Sequence, residues 1–265
     1  MSHDSRFTGK TILLTGATGG LGQALAKELA DAGATLLLSG RDRSQLEQLS
    51  AKISGDHRYF AADTTATEQR AALIDWALSH DLDGVINNAG IGQLALVGEQ
   101  SQQEIEKLIE LNLTVPMLLC EALLESLKER QDAIIVNIGS ILGSIGVPGW
   151  ALYGASKAGL QRYTESLRRE LSDSSVCVFY CAPRAVATAF NSEATVTMNS
   201  ELGNRADLPT DVAVAILKRC QKKAGSYYLG WPEKLFVRVN AVLPKLVDSA
   251  MNKQLASIKR FAKRV

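Results

Sequence analysis

The chain has 265 residues, 46% hydrophobic and 22% charged, which is ordinary globular composition and excludes a disordered or low-complexity polymer. That length suits one large α/β domain and is short for two. Twenty-nine Lys and Arg against 28 Asp and Glu leave +1, so no global field recruits nucleic acid, and none is expected as a partner.

Taken in chain order, seven short apolar runs read as strands: 11–15, 35–39, 58–62, 84–87, 133–138, 176–181 and 226–230. Their near-continuous hydrophobicity is what strands covered on both faces require. Amphipathic stretches near 21–32, 43–54, 67–80, 101–130, 151–172 and 210–224 read as helices. Strand alternating with helix implies a doubly wound parallel sheet with helices on both faces, a Rossmann-like three-layer sandwich. Residues 188–209 break the rhythm, and a connection that long is expected to be a substrate loop or lid. Residues 1–232 thus read as one Rossmann-like domain and 233–265 as its helical extension. In that extension Leu235, Val239, Val242, Leu246 and Ala250 form an apolar stripe, with Lys234, Arg238 and Lys245 off it and Pro244 placed to split the helix. From Lys234 onward, eight basic residues face Asp248 alone.

Cys120, Cys177, Cys181 and Cys220 are too few for a disulfide framework and are expected to be buried thiols. His3, His57 and His80 share no ligand spacing, so no metal is expected. MSHDSRFTGK has no apolar signal core, and the cytoplasm is the expected compartment.

The first strand runs into TGATGGLG (15–22). Glycine is needed where backbone turns tightly and approaches a pyrophosphate, and the following helix aims free N–H groups at that anion. Gly16, Thr18, Gly20, Leu21 and Gly22 are therefore expected to hold a dinucleotide. At the end of the second strand an NAD site wants a carboxylate for the ribose hydroxyls, and an NADP site a cation for the 2′-phosphate. Gly40 occupies the acid's position and Arg41 follows, which favours NADP(H); Asp42, one residue further, keeps NAD(H) open.

Tyr153 and Lys157 lie one turn apart on a helix face. An ammonium beside a phenol favours the phenolate, which suits a general acid/base for a carbonyl or alcohol. Ser140, at the end of the fifth strand, points into the crevice where such sheets bind ligands. NNAG (87–90) closes the fourth strand, and Asn112 sits in an apolar helical segment where it needs a partner, catalytic or structural.

The ordered set TGATGGLG, NNAG, Asn112, Ser140 and YGASK resembles the compact, single-domain branch of the short-chain dehydrogenase/reductase family over about residues 8–232. The resemblance implies hydride transfer between nicotinamide and a carbonyl or secondary alcohol. It gives Tyr153 the proton transfer and Lys157 the ribose contact and the lowering of the tyrosine pKa. Ser140 would polarise the substrate oxygen, and Asn112 would anchor a water relay. It further implies that Asp63, Asn87 and Ala89 line the adenosine side and that Val186 and Thr188 lie near the nicotinamide. The family's Pro-Gly after the sixth strand is Pro183-Arg184 here. Arg184 either narrows the pocket and meets an acidic substrate or points to solvent. Leu142, Pro148, Trp150, Arg184 and residues 188–209 are the expected substrate wall, mostly apolar, for an aliphatic or acyl substrate. The competing reading is a catalytically silent NADP(H)-binding scaffold on the same fold. A homodimer or homotetramer is expected by family analogy. The basic tail suits either packing over the substrate loop or an oligomer interface, or contact with an anionic membrane.

Overall fold

The computed structural model describes residues 5–263; His3 and Arg264, a cation of the tail, lie outside them. Seven strands form one parallel sheet in the order β3-β2-β1-β4-β5-β6-β7. They are β1 (Thr11–Leu14), β2 (Thr35–Gly40), β3 (Arg58–Ala61), β4 (Gly84–Asn87), β5 (Ala133–Ile138), β6 (Val176–Ala182) and β7 (Gly225–Tyr228). Along β1 the side chains alternate between two cores. Ile12 and Leu14 join the layer of Leu25, Leu29, Leu46 and Ile216, while Leu13 joins that of Leu73, Leu123 and Leu167. Helices α1 (Gly20–Asp31), α2 (Arg43–Lys52) and α8 (Pro209–Cys220) cover the first face. The second carries α3 (Thr67–Leu78), α5 (Val115–Lys128) and α6 (Ala151–Glu170). The strand order reverses between β1 and β4, which opens a crevice at the carboxyl ends of the strands. Cys120, Cys181 and Cys220 are buried as free thiols, and Cys177 is half-buried.

The stretch expected as one helix over 101–130 is three pieces: α4 (Gln102–Ile109), a π-helical turn at Glu110–Thr114, and α5. Pro116 explains the break. It has no N–H to offer the carbonyl of Asn112, so the regular ladder is interrupted there. Residues 188–209 are likewise more ordered than their composition implied. Ser192 caps α7 (Glu193–Glu201) by accepting from Thr195 N at 3.2 Å, and Val186 bridges Asp207 in parallel. The tail divides at Leu243 into α9 (Glu233–Val242) and α10 (Pro244–Ala262), as Pro244 required. Helix α10 lies against α7 through the Arg260–Glu201 ion pair, with Ile258 and Ala262 buried near Gly149.

Candidate active site

A cleft of about 1740 Å³ runs along the carboxyl edge of the sheet, from the glycine turn after β1 to the C-terminal helices. At its first end the sequence leaves no room for side chains. Gly16 has φ +62°, and a Cβ there would meet the Ala89 backbone at 2.7 Å. A Cβ on Gly22 would stand 2.1 Å from the Gly16 carbonyl. Gly19, which precedes α1, gives that helix no side-chain cap, so its first N–H groups face the cleft. This is a cradle for a pyrophosphate, and the residues present fit a dinucleotide. Asn88 holds the turn in place, donating from Nδ2 to the carbonyls of Thr15 and Gly16, each at 3.1 Å.

Arg41 and Asp63 also line this end, whereas Asp42 is used elsewhere. Its carboxylate caps α2, accepting from Gln45 N at 3.1 Å, Ser44 Oγ at 2.7 Å and Gln45 Nε2 at 2.9 Å. The Asp63 carboxyl sits below its usual range, chiefly through the Thr65 hydroxyl and backbone N–H, with Arg41 and Lys107 adding to it.

The chemical end is assembled from two elements. Ser140 follows β5, and Tyr153 and Lys157 project from α6; all three are buried. Tyr153 is pushed up to about 12 by burial, against which a hydrogen bond with Ser140 acts. Burial pulls Lys157 down to about 8. Its ammonium donates to the Ile138 carbonyl at 3.0 Å and lies 5.9 Å from the centre of the Tyr153 ring. Burial is thus the dominant influence on both groups. Trp150 meets the Tyr153 ring edge-on at 5.7 Å, and Phe190 does so at 5.9 Å.

The residues named singly for the cofactor and substrate line this one cleft, with three exceptions, Asn87, Asn112 and Pro148. Asn87 is turned into the core, where Nδ2 donates to Asn137 Oδ1 at 2.8 Å and to Cys120 Sγ at 3.5 Å. It is the neighbouring Asn88 that reaches the cleft. Asn112 is fully buried in the π turn and clamps the chain after NNAG, accepting from Ile91 N at 2.9 Å and donating to Ile91 O at 2.8 Å. It faces Lys157 across Gly90, where a Cβ would meet Asn112 Oδ1 at 3.1 Å and Lys157 Nζ at 3.6 Å.

Arg184 does not point to solvent. Its guanidinium pairs with Asp207 at 2.5 Å and Glu233 at 3.1 Å and donates to the Trp231 carbonyl at 2.9 Å. Although its chain borders the cleft, its charge ties the loop after β6 to the root of α9. A basic residue followed at long range by two acids gave no local signal of this.

Phe190 was expected only as part of residues 188–209, and Tyr180 was not expected at the site at all. Phe190 leans over Gly92, where any Cβ would meet its ring at 2.6 Å, and closes one side of the tyrosine. Tyr180 accepts from Ser140 N at 3.3 Å and donates to Lys157 O at 3.2 Å, joining the two halves of the site. Gly139 is required beside it, since a Cβ would stand 2.0 Å from the Tyr180 ring. A tyrosine within an apolar strand looks like core, and only the sheet's register reveals it beneath Ser140.

A glycine cradle and a buried Ser-Tyr-Lys cluster sharing one crevice define a dinucleotide-binding protein of the doubly wound class. The short chain dehydrogenase family profile matches residues 10–199, and the chain belongs to that family of oxidoreductases. It is 34% identical to the ketoacyl reductase HetN of Nostoc over 253 residues, covering 91% of this chain and 88% of the relative. It is 32% identical to the 3-oxoacyl-[acyl-carrier-protein] reductase FabG of Vibrio cholerae, covering 78% and 88%. Among solved structures, a 3-ketoacyl-(acyl-carrier-protein) reductase from Brucella melitensis complexed with NADH superimposes with TM-score 0.77 at 26% identity, covering 86% and 99%. A short-chain dehydrogenase from Streptomyces avermitilis reaches 0.79 at 26% identity, covering 92% and 97%.

Proposed function

We propose that the protein is an NADP(H)-dependent reductase of an aliphatic or acyl ketone, with Tyr153 as the proton donor. The observation that carries this reading is the convergence of Ser140, Tyr153 and Lys157, all buried, on the cleft whose far end is the glycine cradle. The nicotinamide cofactor, when bound, supplies a hydride to the substrate carbon. The chain's own part is positioning and charge. Ser140 and Tyr153 donate hydrogen bonds to the substrate oxygen as negative charge develops on it. Burial keeps the Tyr153 phenol in its protonated form, the form that donates. Lys157, 5.9 Å from the Tyr153 ring centre, meets the ribose and replaces the lost proton in this reading, and Asn112 fixes the backbone at Ile91. Thr188 and Val186 border the nicotinamide end, and Thr188 already leans against Gly20.

Three features favour NADP(H) over NAD(H). Gly40 stands where an acid would accept the ribose hydroxyls, Arg41 lines the cleft beside it, and Asp42 is engaged in capping. The substrate end is walled by Leu142, Trp150, Phe190 and Met198, an apolar surface. The ketoacyl reductases among its relatives are in keeping with an acyl chain there. Residues 233–265 act as an extension of the same domain. A homodimer or homotetramer working in the cytoplasm completes the reading, built by family analogy on the outer faces of α5 and α6.

Calorimetric titration of NADPH and NADH into the purified protein, followed by a panel of ketones and 3-oxoacyl thioesters, tests the proposal. Preferential NADPH binding with turnover supports it. Tight NADPH binding with no turnover would leave a silent scaffold, and binding of neither cofactor would overturn the reading.

A further inference from the structure

Fourteen large apolar side chains are exposed among the described residues, and six of them fall within residues 231–246: Trp231, Leu235, Phe236, Val242, Leu243 and Leu246. Every residue from Ala241 to Leu246 is exposed, so the elbow between α9 and α10 protrudes from the surface. Val242 at the tip is 76% exposed. These side chains are not awaiting a place in the fold. The inner face of the hairpin is already buried through Val237, Val247 and Ile258.

The exposed charges around the elbow are mostly positive. Lys234, Arg238 and Lys245 are all exposed, and Lys234 Nζ lies 5.4 Å over the Trp231 ring. Of the two acids nearby, Glu233 is engaged with Arg184, leaving Asp248 as the exposed one. A second copy of the chain is a poor occupant, because a two-fold contact would bring this cationic patch against itself. A protruding apolar tip ringed by cations matches the interfacial zone of an anionic bilayer, apolar groups at the acyl boundary and ammonium groups among the phosphates. No described helix is long and apolar enough to cross a membrane, so contact of this kind is peripheral.

We propose that the α9–α10 elbow docks on an anionic lipid surface, with Val242 and Leu243 inserted and Lys234, Arg238 and Lys245 on the head groups. Trp231, Phe236 and Leu246 belong both to this patch and to the cleft, so docking turns the substrate end of the cleft toward the membrane. The proposal does not depend on which cofactor or carbonyl the protein uses.

Flotation of the full-length protein with phosphatidylserine–phosphatidylcholine vesicles, against pure phosphatidylcholine vesicles, tests it. Wild type is expected to float with the anionic vesicles and to lose recovery as salt screens the lipid charge. Val242→Asp/Leu243→Asp is expected to remain at the bottom while keeping the wild-type circular dichroism and melting temperature. Arg238→Glu/Lys245→Glu is expected to weaken binding by about fivefold or more for each cation removed. Failure of wild type to float, or equal flotation of Val242→Asp/Leu243→Asp, would overturn the proposal. Self-association of wild type in sedimentation runs, lost in that variant and without flotation, would overturn it too and give the elbow to a second copy.

Discussion

Lys157 Nζ lies 5.9 Å from the centre of the Tyr153 ring, yet its hydrogen bond runs past the tyrosine to the Ile138 carbonyl at 3.0 Å. The two groups are neighbours whose ionisation burial opposes in both cases: the phenol is pushed up and the ammonium pulled down. At neutral pH the tyrosine thus carries the proton that a reduction consumes. Replacing Tyr153 with Phe removes that proton and little else, because the ring keeps its edge-on contacts with Trp150 and Phe190. The expected result is a loss of about 10²–10⁴ in turnover with NADPH affinity nearly unchanged. Steady-state kinetics paired with calorimetry checks it, and full activity in the variant would remove Tyr153 from the mechanism.

The burial of Lys157 also has a cost in stability, and its pH dependence has a definite sign. The lysine has a pKa of about 8 when folded against 10.5 in the open chain. Between those values the unfolded chain binds the proton and the folded one does not, so stability rises with pH across that window and is lowest, from this group, below about 8. A shift of that size corresponds to roughly 3 kcal/mol, reduced by the roughly 1 kcal/mol of the Ile138 hydrogen bond that a mutation would remove. Lys157→Met should therefore be inactive yet melt several degrees above wild type at pH 7. The gap should close as pH rises from 8 to 10.5. Tyr153 acts in the opposite sense at higher pH, its raised pKa causing stability to fall from pH 10 toward 12, but it does so in both proteins and cancels. A pH-independent gap would show that shape rather than charge sets the difference.

The sheet was readable because its signals are local. Each strand is a short apolar run between helices of regular period, and the glycine turn, Ser140 and the Tyr153–Lys157 pair fall at fixed places in that rhythm. What stayed hidden depends on partners far apart in sequence. Arg184 meets Glu233 across 49 residues, and Tyr180 reaches Ser140 across 40. Asn87 and Asn88 are adjacent in NNAG, and only the pairing of Asn87 with Asn137 across β4 and β5 tells which faces inward. The break in the helix at 110–114 was signalled by Pro116, but the apolar periodicity running through it concealed the change.

Arg41 and Asp42 make opposite predictions from adjacent positions. Arg41 lines the cleft beside Gly40, where a 2′-phosphate would sit, whereas Asp42 is turned to the start of α2. Arg41→Ala should weaken NADPH by about 10- to 100-fold, the worth of a charge-assisted pair, and leave NADH almost unaffected. Asp42→Ala should lower the melting temperature through loss of the helix cap without altering the ratio of the two cofactors. Side-by-side calorimetry and thermal melts separate the two residues. Equal losses of NADPH and NADH on removing Arg41 would return that side chain to the solvent and reopen the cofactor assignment.

Arg184 bears on substrate specificity through architecture. Its guanidinium is 13% exposed and bridges Asp207, 25% exposed, with Glu233, 22% exposed. The three residues join the loop after β6, the segment following α7 and the root of α9, which are the walls around the substrate end. Truncation leaves two half-buried carboxylates facing each other without a cation, at a cost of about 2–4 kcal/mol. Arg184→Ala should accordingly melt lower and bind its carbonyl substrate with a raised KM, because the walls are no longer tied together. The kcat should be retained, since Ser140, Tyr153 and Lys157 do not touch the network. Arg184→Lys should recover only part of the stability, as an ammonium cannot reproduce the fork that engages Asp207 through both Nε and Nη2. Unchanged melting together with a loss confined to acidic substrates would instead make Arg184 a direct contact for the substrate's carboxylate.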